Sequence, residues 1–229
     1  MSKRYKLMPF LFDDKVLVAV APRAGYHTML GISAAAQKQG INVKKENLDY
    51  KGTKIIKIKL VRNPFNRAVS SFMILSNPVL KLYRIPPLRL TYEQHHDFTF
   101  RMFLEKLKGA NMNGINHHIA DQNEIDEGKS VKFDRIIKSE NMFGELSEEF
   151  KAVGIKLDFK NLGVQNRLSR CSDVFEGKCA DMSLKELNKW ASSRGNVYPP
   201  YYAFYDEGTH ALVKEIFKRD LLDYEMPFL

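Results

Sequence analysis

KVLVAVAPRAGYHTML, residues 15–30, is the stretch on which the reading of this chain turns. Val16, Val18 and Val20 lie in a short β-branched run that stops at Pro22, the mark of a buried strand. Gly25 offers a tight backbone turn. From Tyr26 to about Gln39 the pattern is helical, with Gly40 as a stop. A strand that turns directly into a helix leaves the helix N-terminus at its own carboxyl end. That end carries partial positive charge and can hold an anion. Arg23 adds a planar cation suited to phosphate or sulfate oxygens, and Thr28 adds a hydroxyl. On these residues alone two readings stay open: an anion-binding turn, or a sharp corner with a solvated arginine. The junction is not a Walker A loop, because G-x-x-x-x-G-K-[ST] is absent.

The pattern recurs. KIIKIKLVR, 54–62, reads as a second strand, and NPFNRAVSSFMILS, 63–76, as the helix after it, with Pro64 tolerated in the first turn. The alternation of Lys with Ile or Leu in this strand predicts one wet face. FDRIIKSE, 133–140, reads as a third strand, followed by a helix over 141–154 that Gly154 stops. Further helices are expected over 97–109, starting at Asp97, over 183–193, where Ser183 and Glu186 have capping-box spacing, and over 206–224. Residues 77–96, with Pro78, Pro86 and Pro87, read as irregular. Strands alternating with helices predict an α/β fold: a single domain over 1–229 with a mostly parallel central sheet flanked by helices. No repeat or low-complexity segment interrupts it.

Composition narrows the classes. The 229 residues are 44% hydrophobic and 28% charged, which suits a folded soluble chain. No run approaches the roughly 20 apolar residues of a membrane span. The opening MSKRYKLMPFLFDDK has too short an apolar patch for a signal peptide, so a cytoplasmic protein without membrane association is expected. Cys171 and Cys179 are too few for a disulfide scaffold or a zinc site; two reduced thiols or one local disulfide are the readings. A net charge of +9 points to anionic partners. No helix-turn-helix, RRM or zinc-finger pattern supports a nucleic-acid partner.

Arg62 closes the second strand. Arg67 and Ser70, three residues apart, share a face of the helix that follows. Two strand ends with cationic turns suit a nucleotide with phosphates at two positions. At this point PRAGYHT and VRNPFNRAVSSF resemble the two cofactor motifs of PAPS-dependent sulfotransferases of the carbohydrate, family 2-like type. That family has a P-K-x-G-x-T-like loop for the 5′-phosphosulfate and an R-[DN]-P-x-x-R-x-x-S segment for the 3′-phosphate. FDRIIKSENM is similar to its strand ending in Glu-Asn, HHIADQ (117–122) to its His-x-x-x-Gln segment, and LVKEIFKRDLLDYEM to its terminal helix. Arg23 stands where the family usually has Lys, and Tyr26 and His27 where it usually has Ser or Thr.

The resemblance implies a fold like that of the P-loop nucleotide kinases. It also implies 3′-phosphoadenosine-5′-phosphosulfate (PAPS) as co-substrate with no metal, and a hydroxyl-bearing acceptor, carbohydrate by type. Arg23 and the backbone N–H groups of Ala24, Gly25, Tyr26, His27 and Thr28 are then expected at the phosphosulfate. Arg62 and Ser70 are expected at the 3′-phosphate, with Arg67 open between the anion and its own helix. Ser169, in the polar loop 161–170, is expected to close over the nucleotide. The acceptor needs a general base, and histidine suits neutral pH. His118 ranks first, His27 second and the His95–His96 pair third. Glu140 stands either as an orienting group or as a solvated strand end. Trp190 and YPPYYAFY, 198–205, are aromatic enough to stack a sugar or adenine, or to form core. The competing classes are a P-loop-like kinase, which lacks its Lys-Ser/Thr pair here, and a non-catalytic basic nucleic-acid-binding module.

Overall fold

Phe10–Phe12 (β1), Val16–Val20 (β2), Val43–Lys45 (β3), Ile56–Val61 (β4) and Arg135–Lys138 (β5) form a five-stranded sheet among the described residues, in the order β3-β1-β2-β4-β5. The computed structural model describes residues 9–21, 23–46, 54–76, 84, 86–112, 118–120, 122, 132–159, 170, 175 and 177–225. β2 pairs parallel with β4, and β4 with β5. β1 runs antiparallel to both β2 and β3. Four of the five strands therefore point one way and β1 alone opposes them, so the α/β, mostly parallel expectation holds in a mixed sheet. β1 and β3 escape the sequence pattern because each has three residues. A pairing that short is set by its neighbours, not by its own period. β1 turns into β2 through Asp13 and Asp14, both at positive φ, a conformation Asp tolerates.

The chain gathers into two compact units: Met1–Asn63 with Gln122–Asn166, and Pro64–Asp121 with Arg167–Leu229. The first holds the sheet. The register places Val16, Val18 and Val20 beside Ile56, Ile58 and Leu60, so that these six share one face. Two helices bury it. Tyr26–Lys38 (α1) supplies Met29, Ile32 and Ala36, and Met142–Ala152 (α5) supplies Met142, Leu146 and Phe150. β2 is buried on both faces, as parallel strands in α/β sheets are. On the other face of β4 the predicted wet stripe is not wet at Lys59. This residue has no exposed surface, donates from Nζ to the Gln122 carbonyl (2.9 Å) and sits 5.6 Å from the Phe133 ring centroid.

The second unit is helical among the described residues: Pro64–Met73 (α2), Tyr92–His96 (α3), Phe100–Leu107 (α4), Leu184–Ser192 (α6), Glu207–Ile216 (α7) and Lys218–Asp223 (α8). Its core is aromatic. Phe72 meets Phe100, Phe103 and Phe204 at centroid distances of 5.6, 5.8 and 6.4 Å. The Ser183–Glu186 capping box forms as read. Two expectations are corrected. The helix placed over 97–109 starts after Thr99, whose hydroxyl accepts the Met102 N–H, while Asp97 closes α3 inside the stretch read as irregular. The helix placed over 206–224 is two, parted at the buried Phe217. Residues 77–83 lie outside the described residues. Among those described, no helix is long and apolar enough to cross a membrane.

Candidate functional site

The exit of β2 is built from backbone bonds. Ala21 N–H donates to the Leu60 carbonyl (3.0 Å), which holds the strand against β4 to its last residue. Ala24 N–H then returns to the Ala21 carbonyl (2.9 Å). Arg23 sits inside that turn at φ 66°, and Gly25 follows at φ 104° as the N-cap of α1. Two left-handed residues within three reverse the chain in the least length, and the second has to be glycine to do so without strain. A Cβ on Gly25 would meet the Met142 thioether at 3.6 Å. Among the described residues no side chain caps α1, and no acidic residue lies in its first turn, so the positive end of the helix keeps its field.

The side chains of this turn divide. Thr28 and Ala24 are buried, and His27 is exposed. Tyr26 is half-buried against the core, its ring centroid 5.9 Å from that of Phe10 and 5.7 Å from that of His27, the latter pair edge-on. Its ring serves as packing.

β4 ends beside this turn. Arg62, one residue past the strand, donates from Nη1 to the Arg23 carbonyl (3.0 Å), which joins the first motif to the arginine of the second. The Arg62 backbone is held on both sides: its N–H donates to Gln122 Oε1 and its carbonyl accepts from Gln122 Nε2, each at 2.7 Å. Asn63 N–H donates to Glu140 Oε1 (3.2 Å), and Ser139 Oγ donates to Glu140 Oε2 (3.2 Å). Glu140, left open by its sequence, thus fastens the exit of β4.

In the second unit Arg67 has no exposed surface. Its Nη2 donates to the Ala120 carbonyl, its Nη1 lies 3.8 Å from Asp220 Oδ2, and its guanidinium lies 5.9 Å from the Phe217 ring centroid. Of the two roles open to Arg67, these contacts are those of a core residue. Ser70 is buried with Oγ 3.4 Å from Tyr201 Oη, and Tyr201 carries the Arg170 guanidinium 3.7 Å from its ring centroid. Ser71 Oγ donates to the His118 carbonyl (2.6 Å), which ties the half-buried His118 to α2.

Of the other histidines, His95 is buried with Nε2 on the Leu75 carbonyl, and burial holds its pKa below the ordinary value. His96 lies edge-on to Tyr92, and His210 stacks on Phe65. Trp190 packs against Phe175 and Arg194. Ser169, Cys171 and His117 lie outside the described residues.

The model of the sulfotransferase family matches residues 22–225, from the turn after β2 to two residues past α8. The chain belongs to the sulfotransferase family. No curated protein and no solved structure matches it. Membership assigns sulfuryl transfer as its chemistry, with a hydroxyl-bearing acceptor. The two stretches that carried the sequence resemblance are the two that Arg62 joins in this sulfotransferase. Sequence reading gave no role to Gln122 or Lys59. The only signal was the position of Gln122 at the end of HHIADQ.

Proposed function

We propose that this sulfotransferase moves a sulfuryl group from PAPS to a hydroxyl of a glycan or glycosylated small molecule. The observation that carries the reading is the Arg62 guanidinium on the Arg23 carbonyl, which sets two cationic side chains of a family-matched chain at adjoining strand ends. The donor set suits a nucleotide with anionic groups at two positions: two arginines, a helix N-terminus without an acidic residue, and a glycine turn that lets backbone approach closely. When bound, PAPS supplies an activated sulfuryl group. Arg23 and the amides of Gly25–Thr28 hold the 5′ end and stabilise charge growing on the phosphate oxygen as its bond to sulfur breaks; the Ala24 N–H, expected among them, is instead taken by the Ala21 carbonyl. Arg62 and Ser70 are assigned to the 3′-phosphate. His118 accepts the proton of the acceptor hydroxyl as its oxygen bonds to sulfur, with His27 second in line. Arg67 is left out of this set and acts in its own core.

Thermal shift with 3′,5′-ADP, the nucleotide product, against its isomer 5′-ADP tests the reading. Selective stabilisation by 3′,5′-ADP is expected, because a ligand that binds only the native state raises its stability. Equal response to the two isomers would overturn it. His118→Ala is expected to lower turnover with little change in nucleotide affinity, and full turnover in that variant removes the base assignment.

A further inference from the structure

We propose that Gln122 is a positioning residue for Arg62, taking the place of a strand residue that β2 no longer provides. The inference rests on the reading of Arg62 as the 3′-phosphate ligand. Along β4 the backbone groups face alternate sides with a period of two. The Leu60 carbonyl accepts the Ala21 N–H, so it faces β2, and the N–H and carbonyl of Arg62 face the same way. At that level β2 has already reversed through the Ala21–Ala24 turn. Two backbone groups of Arg62 would face a missing strand. The carboxamide of Gln122 meets both, one as acceptor and one as donor, each at 2.7 Å. Asn and Gln are the side chains that offer donor and acceptor from one planar amide, as a peptide unit does.

Gln122 is itself held. It has no exposed surface, and its own carbonyl accepts from Nζ of the fully buried Lys59. The order of restraint therefore runs from Lys59 to Gln122 to the Arg62 backbone, while the Arg62 side chain is fixed from the other end by the Arg23 carbonyl. A guanidinium held in this way meets an anion with less loss of freedom on binding. The buried lysine explains itself by the same route. It does not face solvent as the Lys-Ile alternation predicts; it anchors the residue that anchors Arg62.

The experiment measures affinity for 3′,5′-ADP and for 5′-AMP, which lacks only the 3′-phosphate, in the wild type, Gln122→Glu, Arg62→Ala and the double variant. Glu keeps the shape and the acceptor and loses the donor. Gln122→Glu is expected to weaken 3′,5′-ADP about tenfold, the scale of one perturbed charge-assisted hydrogen bond, and to leave 5′-AMP unchanged. In the Arg62→Ala background the same change is expected to add nothing. The ratio of the two affinities is taken within one preparation, so a misfolded fraction cancels. Gln122→Asn, which keeps both groups on a shorter arm, serves as the second variant. An unchanged ratio in Gln122→Glu, equal weakening of both nucleotides, or a loss additive with Arg62→Ala overturns the inference while the PAPS reading stands. A wild type that does not prefer 3′,5′-ADP over 5′-AMP overturns that reading, and this inference with it.

Discussion

Asp220→Ala tests whether Arg67 belongs to the core. Both side chains have no exposed surface, and Nη1 stands 3.8 Å from Oδ2. At that separation, with an effective dielectric near 20, the attraction is about 4 kcal/mol. Nη1 and Oδ2 stand beyond hydrogen-bond distance, so this contact is weaker than a close ion pair. Removing Asp220 leaves a buried guanidinium that still meets the Ala120 carbonyl and the Phe217 ring but has lost its carboxylate. Breaking a buried pair from one side costs about 3–5 kcal/mol, and the longer distance favours the lower end, about 3 kcal/mol. In a protein of this size that lowers Tm by about 6–12 °C. Urea denaturation at constant m-value is the assay, read as a shift in midpoint. Arg67→Met with Asp220→Leu, which removes both charges, is expected to be more stable than Asp220→Ala alone. A loss under about 1 kcal/mol in Asp220→Ala would refute the reasoning. So would an Arg67→Met variant that keeps its midpoint and loses 3′,5′-ADP affinity, since Arg67 would then be an anion ligand.

Gly25→Ala is expected to cost about 1–2 kcal/mol, because φ of 104° strains any side chain there, and to abolish selective response to 3′,5′-ADP in thermal shift. Burial pushes the Cys179 thiol up to about 12, so in the folded state at pH 8 Cys179 should resist iodoacetamide and label only in urea, as read by peptide mass mapping. Burial, the largest cause, lowers the His95 pKa below its ordinary 6.5, with the nearby His96 acting in the same direction and the Leu75 carbonyl opposing. The unfolded chain therefore binds the proton more readily. The stability tied to neutral His95 is fully present above about pH 6.5 and is lost as pH falls through that value toward the folded pKa. His95→Gln should flatten that part of the midpoint-versus-pH curve, and an unchanged slope would count against it.

The elements legible in the sequence are those whose cause is local. β2 and β4 announce themselves by β-branched runs, α6 by its Ser183–Glu186 box, and the two motif turns by glycine, proline and arginine at strand ends. Helix caps are local signals as well. Thr91 and Gln94 form a capping box that starts α3 in the proline-bearing stretch, and Thr99 caps α4. The candidate site was legible in its charged residues, Arg23 and Arg62, because cations beside a helix N-terminus have a plain chemical reading.

The division between the two levels is sharpest along β4. By itself the sequence determined that 54–62 is a strand, that Arg62 closes it and that the chain belongs with sulfotransferases by its two motifs. Alternation decides only which residues share a face. Whether that face meets water depends on what else folds over it. Tertiary structure alone buried Lys59, set Gln122 sixty residues away in sequence against Arg62 and closed Arg67 onto Asp220. Each of these is a polar group taken out of water, which is stable only with a partner at hydrogen-bond or ion-pair distance. A chain pattern carries no record of such partners, because they are supplied by segments remote in sequence and chosen by the packing of the finished fold.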